Sequence, residues 1–214
     1  MIEASSVLEL ALVGIAAYLL GSIQFARLLA TQRGLNLEQT GSGVASSANL
    51  AHAAGKWLGA VAIAGDGAKA LIPVAGARWL FGPDWASYVA LGVMIGHNWP
   101  IWSRFNGGRG MVVTLAAAAI LAPRELIGLA ILLIPIARRI HDTAPPSAVA
   151  LLAFPLTAFA VGEPLSVVWC FSAFALISLV RRVMAPPRDR SFRVLWNRLV
   201  FDRPDPHHHW TLDR

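Results

Sequence analysis

Charge is scarce in this sequence. Only 14% of its 214 residues are Asp, Glu, Lys or Arg, while 56% are hydrophobic, and the mean hydropathy is +0.58. A soluble domain carries roughly a quarter charged residues, so a water-exposed globular domain is excluded. Cysteine is nearly absent too. Cys170 stands alone inside an apolar run, so no intrachain disulfide forms and the thiol reads as a packing residue. The apolar blocks lack the dyad alternation of a membrane barrel. No basic segment precedes the first block, where Glu3 and Glu9 are acidic. That block is also too long for a signal-peptide core, so it reads as a retained span. No internal repeat and no dividing linker stands out.

What is present is a series of apolar runs: Val7–Leu29, Trp57–Phe81, Trp85–Trp102, Met111–Ala122, Leu126–Ala137, Pro146–Val161 and Leu165–Val180. A helix needs about 20 apolar residues to cross a bilayer core, and backbone polar groups there must pair internally. The expected fold is an all-α integral membrane protein, a polytopic helical bundle of about seven transmembrane helices. Residues 1–183 would form one membrane domain, and 184–214 a basic cytoplasmic tail with a short amphipathic helix. Met111–Ala122 and Leu126–Ala137 are short for full crossings. They read either as two short spans or as one re-entrant hairpin around Pro123, and seven crossings is the preferred count.

Orientation follows from the arginines. With the N-terminus outside, the inner segments hold Arg33, Lys56, Arg104, Arg109, Arg138, Arg139 and everything from Arg181 onward. The outer segments hold Arg78 and Arg124 beside Asp84, Glu125 and Glu163. That is the positive-inside pattern, and it places the C-terminus in the cytoplasm. It also accounts for the net charge of +6 through lipid and topology, with no nucleic-acid partner. After Pro186 and Pro187, with Arg188 and Arg190 following, Phe192, Leu195, Trp196, Leu199 and Val200 recur at helical spacing among Arg193 and Arg198. This suits a helix lying on an anionic leaflet, with a solvated basic tail as the alternative.

Three clusters carry possible chemistry. Asp66 and Lys69 lie three residues apart inside an apolar span, hence on one helix face. Intramembrane charges are costly unless paired and tend to mark function; a structural ion pair and an anion-facing lysine both remain open. The second cluster is GHNWPIWSRFNGGRG at 96–110. His97 and Asn98 end an apolar run just ahead of Pro100. Gly107, Gly108 and Gly110 flank Arg109, so backbone amides can converge on an anion while a guanidinium matches its oxygens. A tight turn with a topogenic arginine is the plainer reading. The third is GSGVASSANLAH at 41–52. Gly41, Ser42 and Gly43 form a second candidate nest, and Ser46, Ser47, Asn49, His52 and Lys56 supply polar groups; a flexible interhelical loop is the alternative. A nucleophilic serine there would need a base such as His97 or His52. His207, His208 and His209 are poorly arranged for a closed metal site, and no metal is expected.

In this order, the clusters resemble the bacterial acyl-phosphate:glycerol-3-phosphate acyltransferase family, PlsY. LLGSIQFARLLA at 19–30 matches an LxGSIP-like first span. GSG at 41–43 and Asn49 follow, then Asp66 and Lys69 in the family's D-x-x-K-G position. GHNWPIWSRFNGGRG is close to GHxxPxxxxFxGGKG. Spacing agrees over residues 18–115. The resemblance implies a seven-span enzyme of the bacterial inner membrane with its site at the cytoplasmic face. It would transfer a fatty acyl group from acyl phosphate to the sn-1 hydroxyl of glycerol 3-phosphate, without metal, cofactor or acyl-CoA. Carried over, Ser42, His97 and Asn98 would be catalytic. Gly41, Gly43, Asn49, His52, Lys69, Gly107, Gly108, Arg109 and Gly110 would bind substrate or phosphate, with Asp66 the partner of Lys69. Acyl phosphate, glycerol 3-phosphate and membrane lipids are the implied partners. The chain departs from the pattern at Val44 (family Asn), Ser46-Ser47 (Gly-Ala), His52 (Arg) and Arg109 (Lys), and lacks the family's third His/Asn motif. A re-purposed or inactive lipid- or anion-binding protein of the same fold is therefore the second reading.

Overall fold

The computed structural model describes residues 4–40, 43–184 and 191–203, with side chains from 7 onward. The three tail histidines, His207 to His209, lie outside the described residues, as do Pro186, Pro187, Arg188 and Arg190. Ten α-helices account for most of the rest: α1 Ala4–Gly21, α2 Phe25–Gln32, α3 Ser47–Ala54, α4 Lys56–Phe81, α5 Pro83–Asn98, α6 Met111–Leu121, α7 Pro123–Ile140, α8 Ala144–Val161, α9 Leu165–Val183 and α10 Phe192–Phe201. No strand occurs among the described residues. Among the described residues, four segments are long and apolar enough to cross a membrane: Val7–Gln32, Lys56–Phe81, Ala144–Val161 and Leu165–Val183. Polarity is inverted relative to a soluble protein. Ile72, Ile131, Leu156, Phe159 and Trp169 are exposed, whereas Asp66, Lys69, His97, Asn98 and Arg182 are buried. This is a multi-pass helical membrane protein, and each of the seven apolar runs falls on helix.

The first run is not one continuous helix. It breaks between α1 and α2, where Gln24 is extended. A break in lipid strands backbone carbonyls, and here an ammonium answers it: Lys69 Nζ of α4 donates to the Ile23 carbonyl. The third run also ends early. α5 stops at Asn98, and Pro100, which cannot continue a helix, opens a 3₁₀ turn over Ile101–Ser103. Around Pro123, α6 has 11 residues and α7 has 18, the latter about 27 Å long.

Small residues set the tightest packing, between α1 and α5. A Cβ on Gly96 would lie 2.1 Å from the Tyr18 carbonyl oxygen, and one on Gly21 would lie 2.2 Å from that of Val93. Such close backbone approach is how membrane helices pair when burial from water is not the driving force. Cys170 is buried, its Sγ 3.6 Å from the Ser87 carbonyl across the α5–α9 contact. The tail helix α10 differs from expectation. Phe192, Arg193 and Trp196 are exposed, but Asn197 and Arg198 are buried. Arg198 Nη1 donates to the Val183 carbonyl at 3.1 Å, because the end of α9 leaves carbonyls to be capped. One arginine of the segment expected to lie on the leaflet is thus a tether to the bundle.

Candidate active site

Asp66 and Lys69 form a buried pair, Nζ to Oδ1 2.8 Å. Their i,i+3 spacing places both on one face of α4. The Asp66 carboxylate lies 3.9 Å from His97 Nδ1, beyond hydrogen-bond length. His97 lies in the last turn of α5 and is held against the glycine turn. Gly108 N–H donates to the His97 carbonyl at 3.1 Å, and a Cβ on Gly108 would sit 2.3 Å from His97 Nε2. The turn therefore needs glycine at 108 because the imidazole fills that space. Gly110 has φ +79, and a Cβ there would meet the Met94 methyl at 2.3 Å.

Helix α9 fixes which way this turn faces. Arg181 donates from Nη2 to the Gly107 carbonyl at 2.7 Å and from Nε to that of Gly108 at 3.3 Å. Ser178 Oγ donates to the Arg109 carbonyl at 3.0 Å. In a trans peptide the next N–H points opposite to the carbonyl. With three successive oxygens drawn to α9, the amides of Arg109 and Gly110 face the other way, together with the first-turn amides of α6. Anions favour this arrangement.

A second loop abuts the first. Asn49 Nδ2 donates to the carbonyls of Leu37, Thr40 and Val44 at 3.0, 2.9 and 3.0 Å, and Ser46 Oγ caps α3 by accepting from Asn49 N–H at 3.2 Å. Arg27 bridges the loops. Its Nη2 donates to Glu38 Oε1 at 2.9 Å and to the Asn106 carbonyl at 3.1 Å, and Asn106 Nδ2 donates to Glu38 Oε1 at 3.0 Å. The bond from Arg27 holds the Glu38 carboxyl below its ordinary range.

At the cleft mouth, Arg109 Nη1 meets Asp202 Oδ2 at 2.5 Å. Asp202 ends α10. Burial pushes its carboxyl above the ordinary range, against the pull of Arg109 and Arg182. A cleft of about 670 Å³ joins these parts. Ser46, Ser47, Lys56, Asp66, His97, Gly108, Arg109, Gly110, Arg182 and Asp202 make its polar end. The remainder is apolar, walled by Val112 and Leu115 of α6, Leu126, Leu129 and Leu133 of α7, and Ala150 and Phe154 of α8.

Of the residues singled out in the sequence, Asp66, His97, Gly108, Arg109 and Gly110 line this cleft, and Gly107, Lys69 and Asn98 sit behind its wall. Gly41 and Ser42 lie outside the described residues. Three expected site residues do not line the cleft. Asn49, assigned to a substrate head group, is buried with its amide on loop carbonyls, because the loop's unpaired oxygens require a donor. Asn98, assigned to catalysis, is fully buried, its Nδ2 donating to the Met94 carbonyl at 2.9 Å. His52, placed at a phosphate, is exposed on α3 and is not part of the cleft wall. Asp202, Arg181, Ser178, Arg27 and Glu38 were missed. Arg27 carried a signal, as a charge inside the first apolar run. Asp202 carried none.

Comparison with known proteins agrees with this architecture. The family model described as glycerol-3-phosphate acyltransferase matches residues 11–185. Glycerol-3-phosphate acyltransferase 4 of Dehalococcoides mccartyi (strain CBDB1) is 36% identical over 197 residues, covering 88% of this chain and 84% of that protein. The glycerol-3-phosphate acyltransferase of Roseobacter denitrificans is 36% identical over 178 residues, covering 83% and 88%. The crystal structure of PlsY (YgiH), an integral membrane glycerol 3-phosphate acyltransferase in its glycerol 3-phosphate form, superposes with a TM-score of 0.77 at 27% identity, covering 81% of this chain and 88% of that one. The chain belongs to the glycerol-3-phosphate acyltransferase family.

Proposed function

We propose that the protein transfers a fatty acyl group from acyl phosphate to the sn-1 hydroxyl of glycerol 3-phosphate, giving lysophosphatidic acid and inorganic phosphate. The carrying observation is one cleft with two chemically different ends. An amide turn with Arg109 suits phosphate, and the apolar trough along α6, α7 and α8 suits an acyl chain. The acceptor hydroxyl oxygen attacks the acyl carbonyl carbon, and the carbon–oxygen bond to phosphate breaks. Phosphate leaves with the electron pair into the Gly107–Gly110 turn. His97 takes or orients the hydroxyl proton. Acyl phosphate is already activated, so positioning and neutralisation of the leaving charge supply most of the rate. Asp66 and Lys69 hold the floor beneath His97. Three cations, Lys56, Arg109 and Arg182, line this cleft, and by the positive-inside rule they support a cytoplasmic site in the inner membrane, with the N-terminus outside.

The test uses purified protein in detergent with palmitoyl phosphate and glycerol 3-phosphate. Lysophosphatidic acid and phosphate should appear together, and Arg109→Ala and His97→Ala should each remove most of that turnover. No product from the wild-type protein refutes the reaction; full rates in both variants refute the site. The alternative, an inactive anion-binding relative, draws on Arg109 already being paired with Asp202.

A further inference from the structure

Asp202 is a carboxylate delivered to the phosphate end of the cleft by a helix the sequence presents as a tail. Its delivery is built in. Arg182 Nη1 donates to the Leu199 carbonyl at 2.8 Å and Nη2 to Ser147 Oγ at 2.6 Å. Arg203 pairs with Asp142 at 2.7 Å, and Arg198 binds the Val183 carbonyl. These contacts clamp the end of α10 to α8, α9 and the α7–α8 connection. Asp202 itself takes φ +58, the left-handed cap conformation that ends α10.

The contact with Arg109 is single-pointed. Asp202 Oδ2 holds Nη1, while Asp202 Oδ1 and Arg109 Nε are both buried without a hydrogen-bond partner. Arg182 Nε stands 3.8 Å from Oδ1. A guanidinium is best satisfied by two parallel bonds to one oxyanion. A phosphate, with three oxygens and more charge, satisfies Arg109 better than this carboxylate does, and the amides of the turn lie beside it.

We infer that Asp202 is an internal competitor for Arg109, a counter-ion that substrate phosphate must displace and that thereby sets the phosphate affinity of the cleft. The inference rests on the reading of Arg109 and its turn as the phosphate site. Its benefit to the reaction is at release: the product phosphate leaves a cation whose counter-ion is waiting, so turnover does not stall on bound phosphate.

Titration calorimetry of inorganic phosphate into the full-length protein in detergent tests this without requiring turnover. Asp202→Asn should lower the Kd about tenfold, the scale expected for removing one counter-charge beside a partly exposed site. Asp202→Ala should do likewise, and Asp202→Glu, which keeps the charge, should stay within about twofold of wild type. All three should elute as the wild type does on gel filtration; Asp202→Ala guards against an Asn-specific folding defect. An unchanged or higher Kd in both Asn and Ala variants overturns the inference while leaving the phosphate site intact, provided Arg109→Ala abolishes binding. Phosphate binding that survives Arg109→Ala overturns both. In steady state, Asp202→Asn should lower KM for palmitoyl phosphate and strengthen product inhibition by phosphate; a purely structural role would lower kcat alone.

Discussion

Gly108→Ala isolates the contact on which the site's geometry turns. The added Cβ would lie 2.3 Å from His97 Nε2, 3.0 Å from Cε1 and 3.1 Å from Cδ2. Ordinary carbon contacts sit near 3.5–4.0 Å, so either the imidazole or the turn must move by about 1 Å. His97 is 7% exposed and has little room to yield, and the turn is held by Arg181 and Ser178. Overpacking of this kind costs about 1–3 kcal/mol, and a misplacement near 1 Å costs roughly 100-fold in rate. The assay is lysophosphatidic acid formation in detergent, read beside thermal unfolding of the same sample. Gly67→Ala is the control: it neighbours Asp66, but its Cβ would meet only Val112 Cγ1 at 3.8 Å. Activity of Gly108→Ala within threefold of wild type, with unchanged melting, would refute the claim that the imidazole and the turn are mutually fitted.

Other outcomes follow from the same contacts. Lys69→Met leaves a buried carboxylate without its cation and the Ile23 carbonyl without its donor, and should destabilise by about 3–5 kcal/mol. Lys69→Met with Asp66→Asn should recover much of that loss, measured by detergent-solubilised thermal melts; no recovery would contradict the pairing. Gly96→Val should separate α1 from α5 and yield little folded protein on fluorescence-detected gel filtration, whereas Gly76→Val, where a Cβ meets nothing within 4 Å, should express normally. The Glu38 carboxyl is lowered in the folded protein. Its contribution is therefore present above the unfolded carboxylate pKa and lost as pH falls through the lower folded value. Protection of residues 33–40 from proteolysis should weaken over that acidic window in the wild type and be insensitive to it in Glu38→Gln.

Much of this was legible from composition and motif. The apolar runs announced helices because lipid permits little else, and GHNWPIWSRFNGGRG announced a helix end at Pro100 followed by a glycine turn. Helix interruption was harder. The break at Ser22–Gln24 sits within an apolar run, and only the three-dimensional meeting of Lys69 with the Ile23 carbonyl explains its tolerance. Asn49 and Asn98 were visible as polar residues in the right places. Whether an amide faces a ligand or a loop carbonyl depends on which backbone groups the fold leaves unpaired, and spacing does not encode that. Asp202 was invisible for another reason. It follows a basic amphipathic stretch that reads as a surface helix, and its partner lies 93 residues away.

The central claim is that the cleft joins an acyl phosphate to glycerol 3-phosphate. The most direct measurement supplies palmitoyl phosphate and palmitoyl-CoA in parallel to purified protein with labelled glycerol 3-phosphate. Labelled lysophosphatidic acid should form from palmitoyl phosphate, with one phosphate released per product, and no labelled product should form from palmitoyl-CoA. Product from palmitoyl-CoA alone, or phosphate release without transfer to glycerol 3-phosphate, would contradict it.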